Sequence, residues 1–263
     1  MPGDGRQIIL KDIKVENKTG PKVYGESFKV HTYEVDTHNR LTIQALAQFL
    51  QESASNHAAR LGFGVEFLLK NNRTWVLSRL AVEIKEFIPL GETITIKTWP
   101  AATEKLFFIR DFEISNSNGK IIGSATSYWI FIDTEKGRPV HPSKNEIVFD
   151  YENIKRGFTR SLTKLPSMNK MLPLKSFHVR YSDLDLNNHV NNIKYIEWGM
   201  EGIDPDYRKT HIPFLLEINF LSEAKYSNIV DLSMEPDSLD GFMHYLVIND
   251  TEICRIKSVW KKQ

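Results

Sequence analysis

Little in this sequence advertises a specialised chemistry. One cysteine, Cys254, stands among 263 residues, which excludes an internal disulfide and any zinc site built from several thiolates. Neither sign of charge dominates. The 34 Lys and Arg against 33 Asp and Glu leave a net charge of +1, so no global field draws in nucleic acid or a membrane surface. No run approaches the roughly 20 apolar residues that a membrane span needs. The opening Met1-Pro-Gly-Asp-Gly-Arg6 does not read as a signal peptide, and the expectation is a cytoplasmic protein. There is no Gly-x-Ser-x-Gly elbow, phosphate-binding loop or His-Glu-x-x-His pair, and nothing calls for a metal or cofactor. Ser161-Leu-Thr-Lys164 and Ser167-Met-Asn-Lys170 match Ser-x-x-Lys without partner motifs. What remains is globular: 41% of residues are hydrophobic and 25% charged, against the profile of a disordered chain.

The chain runs through one plan twice. A strand-like Ser27-Phe-Lys-Val-His-Thr-Tyr33 and a polar stretch from Asp36 to Arg40 precede a helical stripe of Leu46, Phe49, Leu50, Ala54, His57, Ala58 and Leu61. Gly62 and Gly64 follow as stop signals, and strands with turn markers at Gly91 and Asn118-Gly119 fill the stretch from Trp75 to about Asp133. Phe177–Tyr181, the polar Asp183–His189 and the stripe Ile193, Ile196, Met200 and Ile203 repeat the order, with strands from Phe214 to Trp260. Asp36 then falls on Asp185, Leu41 on Val190 and Leu46 on Tyr195; further on, Val82-Glu-Ile84 falls on Leu216-Glu-Ile218. The expectation is an α+β chain with two antiparallel sheets, each wrapped around its own long helix. Residues 1–149 form the first half, 150–175 a linker and 176–263 the second half. The linker carries Lys155, Arg156, Arg160, Lys164, Lys170 and Lys175 and reads as a solvated crossing.

The densest polar cluster is Asp183-Leu-Asp-Leu-Asn-Asn-His-Val-Asn-Asn-Ile-Lys-Tyr195. Helix capping needs one or two Asp or Asn residues, not seven polar side chains together. A histidine at a helix start is electrostatically disfavoured as a cation, and free N–H groups of a first helical turn point at anything negative there. A base, amide side chains and an oxyanion-binding helix end suit acyl transfer. Cys254, in the alternating Glu252-Ile-Cys-Arg-Ile256, reads as a small packing residue.

Asp185-Leu-Asn187-Asn-His189-Val-Asn-Asn-Ile-Lys-Tyr195 resembles the signature of the acyl-(acyl carrier protein) thioesterases of plants and bacteria. Trp75-Val-Leu-Ser-Arg79, Gly91-Glu-Thr-Ile94 and Leu50-Gln-Glu-Ser-Ala54 with Asn56-His57 are similar to the family's first half. The resemblance runs from Phe28 to Trp260 and implies a double hotdog fold. It also implies fatty acyl thioester hydrolysis, with acyl carrier protein (ACP) as the partner that delivers the acyl chain on its phosphopantetheine arm. The family's Asp-x-Asn-x-His lands on Asp185, Asn187 and His189, and its glutamate on Glu223. Plant members often carry Cys after that glutamate. Here the position is Ala224, so water must be the nucleophile.

A thiolate leaves readily, since a thiol pKa is about 8.5, and the site chiefly needs an activated water and a cradle for the oxyanion. Glu223 is expected to be the general base in a partly buried, acyl-lined pocket, and His189 to hold the water or share its proton. Asp185 would orient His189 or Asn187, and Asn187 would fix the water or carbonyl. The backbone N–H groups near Val190 and Asn191 would form part of the oxyanion hole. In the first half His38 and Arg40 fill the slots of Asn187 and His189, and Pro89 that of Glu223, which leaves that half free to hold the acyl chain. Phe49, Leu50, Trp75, Phe107 and Phe108 are acyl-pocket candidates that would equally serve as core. Lys194, Arg208, Lys209 and the linker lysines are candidates for docking the acidic carrier, and the chain would be a monomer or homodimer. Three other readings share this sequence: a hotdog thioesterase for coenzyme A thioesters, a hotdog dehydratase, and a non-catalytic acyl-thioester sensor.

Overall fold

Period-two burial along the strands sets two faces on one sheet. The computed structural model describes residues 22–141, 149, 154–168, 172–238 and 240–263. Its strands are β1 (Tyr24–Lys29), β2 (Arg73–Ile84), β3 (Thr93–Glu104), β4 (Phe107–Ser115), β5 (Ile121–Asp133) and β6 (Arg138–Pro139) in the first half. Those of the second are β7 (Lys175–His178), β8 (His211–Phe220), β9 (Ile229–Ser238), β10 (Gly241–Ile248) and β11 (Thr251–Lys262). They lie in the order β1-β3-β4-β5-β2-β8-β11-β10-β9-β7, with β6 on β5. The second half thus repeats the first in reverse. The two expected sheets are joined edge to edge where β2 and β8 pair antiparallel, Leu80 opposite Ile218 and Val82 opposite Leu216. That junction hides one edge of each half from other strands.

The helices lie on one face. Helix α1 (Ile43–Arg60) runs 18 residues from Thr42, whose hydroxyl accepts from the Ala45 N–H, and Gly62 at φ 87° follows its end. Helix α3 (Asn192–Met200) is only nine residues, shorter than the long helix expected, because the chain restarts at once. Asp204 caps α4 (Pro205–Thr210), with Pro205 in its first turn. The short α2 (Val65–Lys70) follows α1. Leu46 and Leu50 of α1, Ile193 and Ile196 of α3, and Leu80, Val82, Ile96 and Phe112 of the sheet form one continuous core.

The opposite face is covered by the segment that joins the halves, so that segment is not the solvated crossing its lysines suggested. Phe158, Leu162 and Leu165 are buried against sheet residues such as Tyr128 and Tyr245. Asp111, wholly buried, accepts from Arg156 Nε and Gly157 N at 2.8 Å. A Cβ on Gly157 would come within 2.8 Å of the Trp99 ring, so glycine is required at that close approach. Further along, Leu165 N donates to Asn219 Oδ1 at 2.7 Å and Met168 N to Glu252 Oε1 at 2.8 Å. A buried carboxylate needs such partners, and here the crossing chain supplies them. Lys170 lies outside the described residues.

Candidate active site

The repeated polar stretch folds into the same loop in both halves. Val35 bridges Leu41 and Leu184 bridges Val190, and each loop turns through an asparagine of positive φ, Asn39 (64°) and Asn188 (60°). Each also folds around an aspartate. Asp36 Oδ1 accepts from the His38 and Arg40 N–H groups, and Asp185 Oδ1 from those of Asn187 (2.8 Å) and His189 (3.2 Å). Asp185 therefore positions Asn187 and His189 through their backbones. A deeper aspartate, Asp183, is buried beneath the second loop and paired with Arg180 at 3.0 Å. Burial works against the charge of Asp183, but the hydrogen bonds and charge of Arg180 outweigh it and hold the carboxyl below its ordinary range.

Side chains separate the two copies. His189 Nε2 stands 3.1 Å from Glu223 Oε2, with side chains 33% and 50% exposed. The Glu223 carboxylate is thus half-buried. Arg40, at the place of His189, is buried and turns back on Asp36, with Nε 2.9 Å from Oδ2. It also donates to the carbonyls of Arg208 (2.8 Å) and His211 (3.3 Å). Leu41 N donates to Ile88 O and Val190 N to Ala224 O, which puts Phe87 at the place of Glu223, not Pro89. The bonds Lys85 N to Ile122 O and Leu221 N to Ile253 O give the same register. Val82-Glu-Ile84 and Leu216-Glu-Ile218 are not copies; Val82 faces Leu216 across the β2–β8 junction.

A cleft of about 840 Å³ opens over the second copy, lined by His189, Glu223, Asn187, Tyr195, Ser222 and Lys225 among others. A second cavity of about 280 Å³ extends into the first half between α1, α2 and the sheet, walled by Phe63, Leu68, Trp75, Phe108, Trp129 and Phe149 among others. The two share Thr74, Trp75, Asp185, Asn187 and Asn192. Of the five acyl-pocket candidates, Trp75 and Phe108 line this cavity. Phe49 instead stacks on Phe28 at 4.6 Å, Leu50 is 1% exposed in the core, and Phe107 packs on Tyr128 under Arg79. Over the first copy the corresponding cavity is about 60 Å³, and Arg40 and Arg208 line it.

Two oxyanion candidates are already engaged. Val190 N donates to Ala224 O at 3.0 Å and Asn191 N to Asp183 O at 2.9 Å, so neither N–H faces the cleft unspent. Asn192, first residue of α3, lies at the junction of the two cavities, and its N–H makes no hydrogen bond among the described residues. Its signal was its place in the polar cluster. Tyr195 was also legible only as part of that run; its hydroxyl bonds the backbone on both sides of Glu223. Ala224 is wholly buried in the core, so this position faces away from the cleft. Burial pushes the Cys254 thiol well above its ordinary range and leaves it inert.

The candidate docking cations are largely occupied. Lys194 pairs with Glu197 at 2.8 Å, Lys209 with Asp206 at 2.6 Å and the linker's Lys175 with Glu201 at 3.3 Å; Arg208 donates to the Met200 carbonyl. Among the described residues no cluster of His, Cys, Asp and Glu could hold a metal, and no helix is long and apolar enough to cross a membrane.

Comparison with known proteins matches residues 21–151 to the acyl-ACP thioesterase N-terminal domain and residues 168–262 to the acyl-ACP thioesterase C-terminal domain. The chain is 28% identical to a chloroplastic oleoyl-acyl carrier protein thioesterase of Arabidopsis thaliana, over 91% of this chain and 76% of that one. It is 27% identical to a chloroplastic palmitoyl-acyl carrier protein thioesterase of Cuphea hookeriana, over 91% of this chain but only 62% of the plant protein. Among solved structures, an acyl-ACP thioesterase from Bacteroides thetaiotaomicron superposes with a TM-score of 0.84 at 28% identity, covering 91% of this chain and 98% of that one. The 12:0-ACP thioesterase of Umbellularia californica shares the fold, with a TM-score of 0.77 at 22% identity, covering 92% of this chain and 98% of that one.

Proposed function

The chain belongs to the acyl-ACP thioesterase family, and from that premise we propose that it hydrolyses fatty acyl-ACP to free fatty acid and carrier protein, using its second half for the chemistry and its first for the acyl chain. The observation that carries this reading is the continuity of two cavities. The polar cleft with the His189–Glu223 pair shares Trp75, Asn187 and Asn192 with an aromatic-walled chamber. A thioester lying at that junction has its acyl chain in the chamber and its phosphopantetheine arm in the polar cleft.

In the proposed reaction a water between Glu223 and the carbonyl carbon loses a proton to the Glu223 carboxylate as its oxygen forms the new C–O bond. His189, 3.1 Å from Glu223, holds the water and shares that proton. The carbonyl π-electrons move onto oxygen, and we assign the Asn187 amide and the unspent N–H of Asn192, both in the cleft lining, as the donors that meet the charge. Collapse of the tetrahedral intermediate breaks the C–S bond, and the proton returns through His189 to the thiolate. Asp185 keeps Asn187 and His189 in place through their backbone N–H groups.

The cleft and chamber are completed within one chain, which suits a monomer or a homodimer, and we place the reaction in the cytoplasm. Lys225 lines the polar end of the cleft, where an acidic carrier would approach. The test is thiol release from one acyl chain carried on ACP and on coenzyme A. Faster turnover on ACP is expected. Turnover confined to coenzyme A moves the reading to the other carrier, and binding without release on both makes the protein a sensor.

A further inference from the structure

We infer that Tyr195 is a positioning residue that aims Glu223 at His189 by clamping the backbone on either side of it; this rests on the thioesterase reading with Glu223 as base. The Tyr195 side chain rises from α3 and is buried at 3% exposure. Its hydroxyl accepts from Ala224 N at 2.8 Å and donates to Ser222 O at 3.4 Å. One oxygen therefore holds the peptide groups that flank Glu223. The ring is itself fixed, edge-on to Phe220 at 5.7 Å and tilted against Trp198 at 5.9 Å. Burial pushes the phenol well above its ordinary range, so it stays neutral and can donate and accept at once.

Glu223 needs such a clamp because its own side chain is half exposed and, among the described residues, pairs with His189 alone. Its segment leaves β8 with Leu221 N and Ser222 N both donating to Ile253 O, and Ala224 O accepts from Val190 N. Those bonds fix the two ends of the turn, and the Tyr195 hydroxyl fixes its middle. At the corresponding places in the first half, Leu46, which has no hydroxyl, and Phe87, which has no charge to aim, line one small cavity.

The test is Tyr195→Phe, which keeps the ring and removes only the clamp, measured alone and together with Glu223→Ala. A misaimed base loses chemistry rather than binding, so kcat should fall about ten- to a hundredfold with KM within about twofold. In the Glu223→Ala background the same substitution should cost less than about twofold, because nothing is left to aim. Hydrogen exchange of residues 222–224 should quicken in Tyr195→Phe, a readout independent of turnover. An unchanged kcat, an equal loss in both backgrounds, or unchanged exchange would each overturn the inference. Wild-type protein that releases no thiol, with the exchange result intact, would instead overturn the thioesterase reading beneath it.

Discussion

Arg40 and His189 stand at the same corner of two copies of one loop, and what each does with that corner separates the halves. Both copies keep the folded aspartate, the asparagine of positive φ and the strand-like bridge across the loop. In the first, Arg40 turns inward to Asp36 and to carbonyls near the C-terminal half, Phe87 and Leu46 stand beside it, and about 60 Å³ is left. In the second, His189 faces Glu223 over a cleft of about 840 Å³, with Tyr195 below and Asn192 alongside. On one backbone, His189, Glu223 and Tyr195 in place of Arg40, Phe87 and Leu46 separate the proposed reaction site from a structural joint. Backbone geometry alone is therefore no sign of chemistry in this fold.

The largest effects belong to the second copy. Glu223→Ala or His189→Ala should lower kcat by about 10²–10⁴-fold with a normal melting curve, as removal of a general base or its proton partner does. The matching change in the first copy, Arg40→Ala, should leave kcat within about twofold and instead cost about 2–3 kcal/mol of stability, read by urea unfolding. Acid sharpens the same contrast. Burial opposes the charge of Asp36, but its bonds to Arg40 outweigh that and hold the carboxyl below its ordinary 3.8, as Arg180 does for Asp183. Their stabilisation is complete above that ordinary value and is lost as pH falls through the lower folded values; Arg40→Ala should flatten that decline and His189→Ala should not.

Smaller effects test the division between chamber and cleft. Phe108→Ala, in the chamber wall, should favour longer acyl chains, each extra buried methylene gaining about 0.8 kcal/mol, or roughly fourfold, in competition assays. Cys254→Ala should change turnover by no more than about twofold, and thiol-alkylating reagents should leave the folded wild type active, because that thiol is buried and protonated.

The polar run Asp183–Tyr195 was legible because it holds more Asp and Asn than capping can use, and the repeat was legible because both loops keep their aspartates in step. The register after the first strands was not. Val82-Glu-Ile84 matches Leu216-Glu-Ile218 because both line the junction of β2 and β8, where facing strands have similar needs. The packing of the crossing segment was not legible either. Its lysines announce solvent, whereas its anchors are single polar residues inside apolar strands, Asp111 and Asn219, whose partners lie far along the chain. The oxyanion donors failed for a local reason: whether an N–H near a helix start is free depends on the acceptor that a neighbouring segment brings, here Ala224 O and Asp183 O.

The most direct test of a single reaction site in the second half is carrier-thiol release from acyl-ACP by wild type, Glu223→Ala and Arg40→Ala under one set of conditions. Release by wild type and Arg40→Ala at similar kcat is expected, with near-complete loss in folded Glu223→Ala. Release by Glu223→Ala at the wild-type rate, or loss confined to folded Arg40→Ala, would contradict it.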